Sequence, residues 1–177
     1  HYQPVFDAVS NRIVGCEALV RWQHPQRGLL MPGAFIQAAE ETGMIRPLGL
    51  WVLNRACAQF AAWRDADIRP MRIAVNVSAL QVHDPALADA VRTAMRQHGL
   101  KTGDLEIELT ESTLLSDTDI AMRTVARLRE AGALLAVDDF GTGFSSLSYL
   151  KSLKPDKLKI DRSFVRDLPD DTDDRAL

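Results

Sequence analysis

From residue 72 onward the chain repeats one pattern, a short β-rich run followed by a helix-like stretch. The runs are RIAVNVSA, LEIELTES, LLAVDDF and DKLKID. The stretches between them carry apolar residues at spacings of three and four. DPALADAVRTAMRQHG has Asp84 as its N-cap, Pro85 at the first helical position and Gly99 as its stop. DTDIAMRTVARLREAG repeats the design, with Asp117 or Asp119 near the cap and Gly132 as the stop, and SSLSYLKSL ends at Pro155. Repeated βα units imply parallel strands joined by right-handed crossovers. The first two runs, YQPVFD and RIVGCEALVRW, lie only a few residues apart around Ala8 to Asn11 and suit an antiparallel hairpin. Helical spacing covers 32–44 and 48–66 between that hairpin and the repeats.

An open doubly wound sheet and a closed (β/α) barrel both satisfy this order. The doubly wound sheet calls for GxGxxG after an early strand. Here the Gly-rich piece, GTGFSS, follows a late strand and lacks the third Gly. Polar residues inside the apolar runs favour the barrel. Glu17 lies in GCEALV, Asn76 in AVNVS, Glu108 and Glu111 in EIELTES, Asp138 and Asp139 in AVDDF, and Lys159 and Asp161 in KLKID. By strand parity Leu105, Ile107 and Leu109 share one face and Glu106 and Glu108 the other. Leu158 and Ile160 likewise oppose Lys157, Lys159 and Asp161. A TIM-like barrel packs the apolar face on helices and builds its site from the C-terminal strand ends.

Each polar residue has a plainer reading by itself. Glu17 suits an edge position or a buried ion pair, Asn76 a satisfied core amide, Lys159 a solvated strand residue, and the Asp138–Asp139 pair a helix or turn cap. Taken together, five strands would each bury a polar group without a shared purpose, which is costly unless the groups are paired. Two adjacent carboxylates about 4 Å apart repel by roughly 4 kcal/mol at an effective dielectric of 20. An all-oxygen set matches a hard divalent ion, Mg²⁺ or Mn²⁺, and two such ions form the clamp used in phosphoester hydrolysis. Lys159 would then orient the attacking water or offset phosphate charge.

The net charge of −3 carries no basic excess and argues against a nucleic-acid polymer as partner. Cys16 and Cys57 are isolated in apolar settings, without metal-ligand spacing, and read as reduced core thiols. No segment resembles a signal peptide or a spanning helix, so a cytoplasmic domain without membrane contact is expected, alone or within a larger and membrane-anchored protein. The acidic tail DLPDDTDD reads as a frayed end.

EALVRW at 17–22, NVS at 76–78, ELTES at 108–112, DDFGTGFSSLSYL at 138–150 and KIDRSFV at 159–165 occur in this order along essentially the whole chain. In this the chain resembles the EAL domain family, which hydrolyses the bacterial second messenger cyclic di-GMP to linear pGpG. The resemblance implies an α/β fold, a (β/α)8 TIM-like barrel with an antiparallel first strand. It also implies a two-metal site, Mg²⁺ or Mn²⁺, with Glu17, Asn76, Glu108 and Asp138 as ligands. Asp138 matches the bridge between the ions and Asp139 a ligand on the second-metal side. Lys159 and Asp161 resemble the pair that holds and polarises catalytic water, beside Glu17. Gln3, Leu19 and Arg21 resemble substrate contacts, with Arg21 suited to a phosphate oxygen. Glu111 resembles the anchor of the loop Phe140, Gly141, Thr142, Gly143 and beyond, which couples dimerisation to metal binding in that family.

The resemblance further implies a homodimer and, in the parent chain, fused sensory or GGDEF-type domains. Residues 1–177 correspond to an EAL phosphodiesterase domain lacking its last strands and helices, because a glutamate-bearing AEGVE-type strand and a later guanine-facing glutamine have no counterpart. A (β/α)8 barrel takes about 250 residues. Poor activity or stability is therefore expected of the isolated piece. A non-catalytic cyclic di-GMP receptor is the alternative, and an inactive regulatory or dimerisation module a third.

Overall fold

The structure, a computed structural model, describes residues 1–68, 72–141, 147–164 and 166. Two sheets form. The larger has six strands, β1 (Tyr2–Phe6), β2 (Ile13–Ala18), β5 (Ile73–Asn76), β6 (Leu105–Thr110), β7 (Leu134–Phe140) and β8 (Lys157–Ile160). They lie side by side in that order. β1 pairs antiparallel with β2, and every later pairing is parallel. A separate two-stranded ribbon joins β3 (Trp22–His24) to β4 (Gly28–Leu30). It packs on the body of the protein through Trp22, whose ring stands edge-on to Phe35 at 5.8 Å.

The parallel strands are continuous apolar runs on their outer face. Ile73, Val75, Leu105, Ile107, Leu109, Leu135 and Val137 are buried there in the core. The long helix α2 (Ile45–Asp65) contributes Leu53, Cys57 and Phe60 to this core. α4 (Leu87–Gln97) contributes Val91 and Met95, and α6 (Thr118–Glu130) Val125 and Leu128. Each of these helices covers strand backbone that would otherwise lose its apolar side chains to water. Short helices fill the connections: α1 (Ile36–Glu41), α3 (Ala79–Val82), α5 (Glu111–Ser116) and α7 (Leu147–Leu153). The sheet is thus a run of βα units with an antiparallel first strand, the topology of a TIM-like barrel, and β1 and β8 are its edges among the described residues.

Several boundaries differ from those expected. The second run stops at Ala18, and Trp22 belongs to the ribbon. The run LEIELTES ends at Thr110, because the Thr110 hydroxyl accepts the Thr113 N–H and starts α5 at Glu111. Asp84 is not the cap of α4. Its carboxylate accepts the Ala86 N–H in a turn, and the helix starts at Leu87. Asp117 caps α6 by accepting from Ile120 N–H at 3.0 Å, so of the two expected residues Asp117 does the work. The stretch 32–44 is broken into a 3-10 turn at Pro32–Ala34 and α1, and α2 begins at Ile45 rather than Leu48. Asp161 falls just past β8. Leu158 and Ile160, on the outer face of β8, are 44% and 64% exposed, unlike the outer faces of β5, β6 and β7. The acidic tail lies outside the described residues.

Candidate metal centre

The inward faces of the strands carry the polar residues. Hydrogen-bond register pairs Glu17 with Ala74, and Asn76 with Glu108. Glu108 in turn pairs with Ala136, and Thr110 with Asp138. Glu17, Asn76, Glu108 and Asp138 are therefore not one straight row. They reach one level because the strands are staggered, by two residues between β2 and β5 and again between β6 and β7. That is the stagger by which tilted strands close a barrel.

At this level Glu17, Glu108 and Asp138 bring carboxylate oxygens within 4.8 Å of one another. The Lys159 ammonium sits among them. It donates to Glu108 Oε2 at 2.8 Å, to Asp138 Oδ2 at 2.8 Å and to Glu17 Oε2 at 3.2 Å. Asn76 Nδ2 donates to the other Glu17 oxygen at 2.8 Å. Four expected site residues, drawn from β2, β5, β6 and β7, thus converge on a fifth from β8.

The electrostatics follow from burial. The Glu108 side chain is 1% exposed. Burial pushes its carboxyl up to about 7; Lys159 opposes the rise, and the charges of Glu17 and Asp138 add to it. Burial alone would lower the Lys159 ammonium. Its hydrogen bonds to Asp138 and Glu108, with the charges of Glu108 and Glu17, outweigh burial and hold it above the usual lysine range. One ammonium offsets one of three carboxylates, which leaves an excess of negative charge in a half-buried place. Oxygen donors with unbalanced negative charge fit a hard divalent cation.

Asp138 and Asp139 part company. The β7–β8 register shifts between Val137 and Phe140, and Asp139 adopts a left-handed backbone, φ 52°. Such a bulge re-aims side chains next to a site. Asp138 turns into the cluster, whereas Asp139 is exposed and is not among the three clustered carboxylates. The carboxyl of Asp139 is raised by partial burial and by the charges of Asp138 and Asp161. Asp161 does not join Lys159. Its carboxylate accepts from the Ser163 N–H at 2.9 Å and from the Ser163 hydroxyl.

Glu111, 2% exposed at the start of α5, accepts the Gly141 N–H at 2.8 Å. Gly141 has φ 103°, and a Cβ there would meet the Phe164 ring at 2.7 Å, so glycine is required on both counts. Phe140 is half-buried beside it; Thr142 and Gly143 lie outside the described residues. Gln3 stands opposite Glu17 on the neighbouring strand and is exposed. Leu19 and Arg21 follow β2 and line a cavity of about 400 Å³ with Gln23, Trp51 and Arg55. A second cavity, about 540 Å³, opens beside Asn76 and is lined by Leu19, Ser78, Gln81, Thr110 and Thr113 among others.

A second ionic cluster was not anticipated. Glu106, 0% exposed, accepts from Lys157 Nζ at 2.8 Å and from Arg72 at 3.4 Å. The parity that sets Glu106 with Glu108 and Lys157 with Lys159 was the signal for it. The two Glu residues and the two Lys residues have the same two-residue spacing.

A curled sheet of βα units carries an acidic, lysine-centred cluster at its strand ends, in the arrangement of a TIM-like barrel whose carboxylates could hold a metal ion. The EAL domain profile matches residues 1–177, and the chain belongs to the EAL domain family. It is 46% identical over 177 residues to the bifunctional diguanylate cyclase/cyclic di-GMP phosphodiesterase MucR of Pseudomonas aeruginosa, covering 100% of this chain and 26% of MucR. It is 46% identical over 169 residues to the cyclic di-GMP phosphodiesterase NbdA of the same organism, covering 96% of this chain and 22% of NbdA. The chain therefore spans about a quarter of the length of these curated relatives. Among solved structures, the PaMucR phosphodiesterase in complex with c-di-GMP superposes with a TM-score of 0.93 at 46% identity, over 99% of this chain and 71% of that one. The EAL enzyme Bd1971, in its cAMP- and cyclic di-GMP-bound form, superposes with a TM-score of 0.90 at 33% identity, over 99% of this chain and 48% of that one.

Proposed function

We propose that this domain hydrolyses cyclic di-GMP to linear pGpG with metal-activated water. The observation that carries the reading is the convergence of Glu17, Glu108 and Asp138 on Lys159, with Asn76 at the rim, in a chain of the EAL family. In relatives that are named phosphodiesterases the activity belongs to those proteins; here it is inferred from the site.

Glu17, Asn76, Glu108 and Asp138 are the residues that would hold a divalent ion, Mg²⁺ or Mn²⁺, with Asp139 on the side of a second. When bound, such ions neutralise phosphate charge and lower the pKa of water. The chain's own groups do the rest. Lys159 keeps its proton and supplies fixed positive charge at the strand ends, close to where a scissile phosphate would lie. Lys159 would orient the attacking water, and Asp161 could join it there only by turning away from Ser163, which it now accepts from. Arg21, half-buried beside the cavity after β2, suits a phosphate oxygen through its planar fork. Gln3 and Leu19 complete the substrate contacts. Glu111 steadies the Phe140–Gly143 loop through Gly141, and in this reading the loop links a homodimer to the site. No helix among the described residues is long and apolar enough to cross a membrane. The reading places the domain in the cytoplasm, joined to sensory or cyclase domains in a longer chain.

Incubating the full-length protein with cyclic di-GMP and Mg²⁺ or Mn²⁺ and assaying for pGpG tests this directly. Binding of cyclic di-GMP without pGpG under any metal supports a non-catalytic receptor instead.

A further inference from the structure

We infer that Glu106 is a positioning residue: through Lys157 it sets the register of β8 and so places the Lys159 ammonium among Glu17, Glu108 and Asp138. The inference rests on the proposed hydrolase reading for its catalytic consequence, though not for its geometry.

The start of β8 is fixed by Asp156, whose N–H donates to the Leu135 carbonyl and whose carboxylate accepts the Leu135 N–H, each at 2.9 Å. The strand itself spans only Lys157–Ile160. Its outer side chains, Leu158 and Ile160, are 44% and 64% exposed, and its ladder with β7 is interrupted between Val137 and Phe140. A strand is held in register where one face is buried, and weakly held elsewhere. On β8 the inner face contributes to that discrimination.

The inner face supplies it by charge. Glu106 and Glu108 sit two residues apart on β6, and Lys157 and Lys159 two residues apart on β8. Both lysines cross β7, where Ala136, which pairs with both Glu108 and Lys157, is too small to block them. Lys159 then meets Glu108 and Lys157 meets Glu106, each at 2.8 Å. A one-residue slip would turn both lysines outward. A two-residue slip keeps the alternation and would bring Lys157 to Glu108 in place of Lys159. Glu106 opposes that slip, because it would be left fully buried with only the partly exposed Arg72 as partner. Arg72 is itself fixed to the other side of the sheet. Its backbone carbonyl accepts the Cys16 N–H at 3.0 Å, and its side-chain stem lies against Gly15, where an added Cβ would approach to 2.9 Å. The lower cluster thus ties β8 to β6 and to the β2–β5 side of the barrel, one layer beneath the candidate metal centre.

The test uses Glu106→Gln in the full-length protein, with two readouts. The first is the rate at which acetic anhydride acylates Lys159, followed by mass spectrometry. In the parent protein three carboxylates clasp the ammonium and acylation is slow; in Glu106→Gln it should quicken by about tenfold. The second is hydrolysis of cyclic di-GMP, where kcat should fall about tenfold or more with KM within about twofold. The swap Glu106→Lys with Lys157→Glu should restore both. If Glu106→Gln does not melt cooperatively, Lys157→Met leaves Glu106 paired to Arg72 and should expose Lys159 in the same way. Lys159 labelled at the parent rate in a folded variant overturns the inference, as does a kcat that stays unchanged, or a folded swap that restores neither readout. A parent protein that makes no pGpG counts against the hydrolase reading alone, since the labelling then decides the positioning role.

Discussion

Glu17 carries the most at the scale of single residues. It accepts from Asn76 on one oxygen and from Lys159 on the other, so it joins β2 to β5 and β8. In the proposed reading each of Glu17→Ala and Asn76→Ala would remove a metal donor and should reduce pGpG formation by about 10²-fold or more. Circular dichroism should stay near that of the parent; undiminished turnover in either variant would remove these residues from the site. The cysteines give a second expectation. Burial pushes Cys16 up to about 11 and Cys57 to about 12, so the neutral thiol dominates well above neutral pH. The thiolate is the reactive form and is present only near and above the folded-state pKa. Alkylation of the native protein should therefore be slow at neutral pH and keep rising with pH, without a plateau near the free-thiol pKa. A plateau near pH 9 would show both thiols to be in contact with water. The Asp138–Asp139 pair was legible as an electrostatic problem from its sequence alone. That the two carboxylates diverge was not, because the left-handed turn at Asp139 follows from pairing with β8, some 20 residues later.

Among the elements, β6 best joins fold to site. Leu105, Ile107 and Leu109 are fully buried on one face, and Glu106 and Glu108 are buried on the other. Parity in the sequence predicted this split. Ile107→Ala should cost about 2–5 kcal/mol, read from urea or thermal unfolding, because the pocket it leaves among packed side chains cannot fully collapse. A loss well under 1 kcal/mol would mean that the helices close over the gap. At the C-terminal end of β6, Thr110 caps α5 and thereby aims Glu111 at Gly141. Thr110→Ala should cost about 1 kcal/mol. The same reading of ELTES as continuous strand missed this. Thr, Glu and Ser are compatible with both a strand end and a helix start, and only the capping bond separates them.

Across the whole molecule, the carboxylate charge gathered at the strand ends is what a bound cation would offset. Three carboxylates share one ammonium, and a ligand that binds only the folded form stabilises it by mass action. Mg²⁺ or Mn²⁺ at about 100-fold above its Kd should stabilise the protein by roughly 2.7 kcal/mol, and a chelator should reverse the gain. The melting temperature with and without the ion measures this. Glu108→Gln should shrink the shift, and an unchanged melting temperature in the parent would mean that no such ion binds.

The amino-acid order by itself determined the alternation of strand and helix, the inward set of polar residues and the family to which the chain belongs. All three are local or collinear properties: apolar period, side-chain parity, and motifs in a set order. Tertiary structure alone decided that Glu17, Asn76, Glu108 and Asp138 share one level, that Asp139 and Asp161 stand apart from it, and that Glu106, Arg72 and Lys157 form a second layer beneath. Those outcomes depend on the stagger between neighbouring strands and on a single bulge. Stagger is a property of strands packed together, and no one strand's sequence carries it.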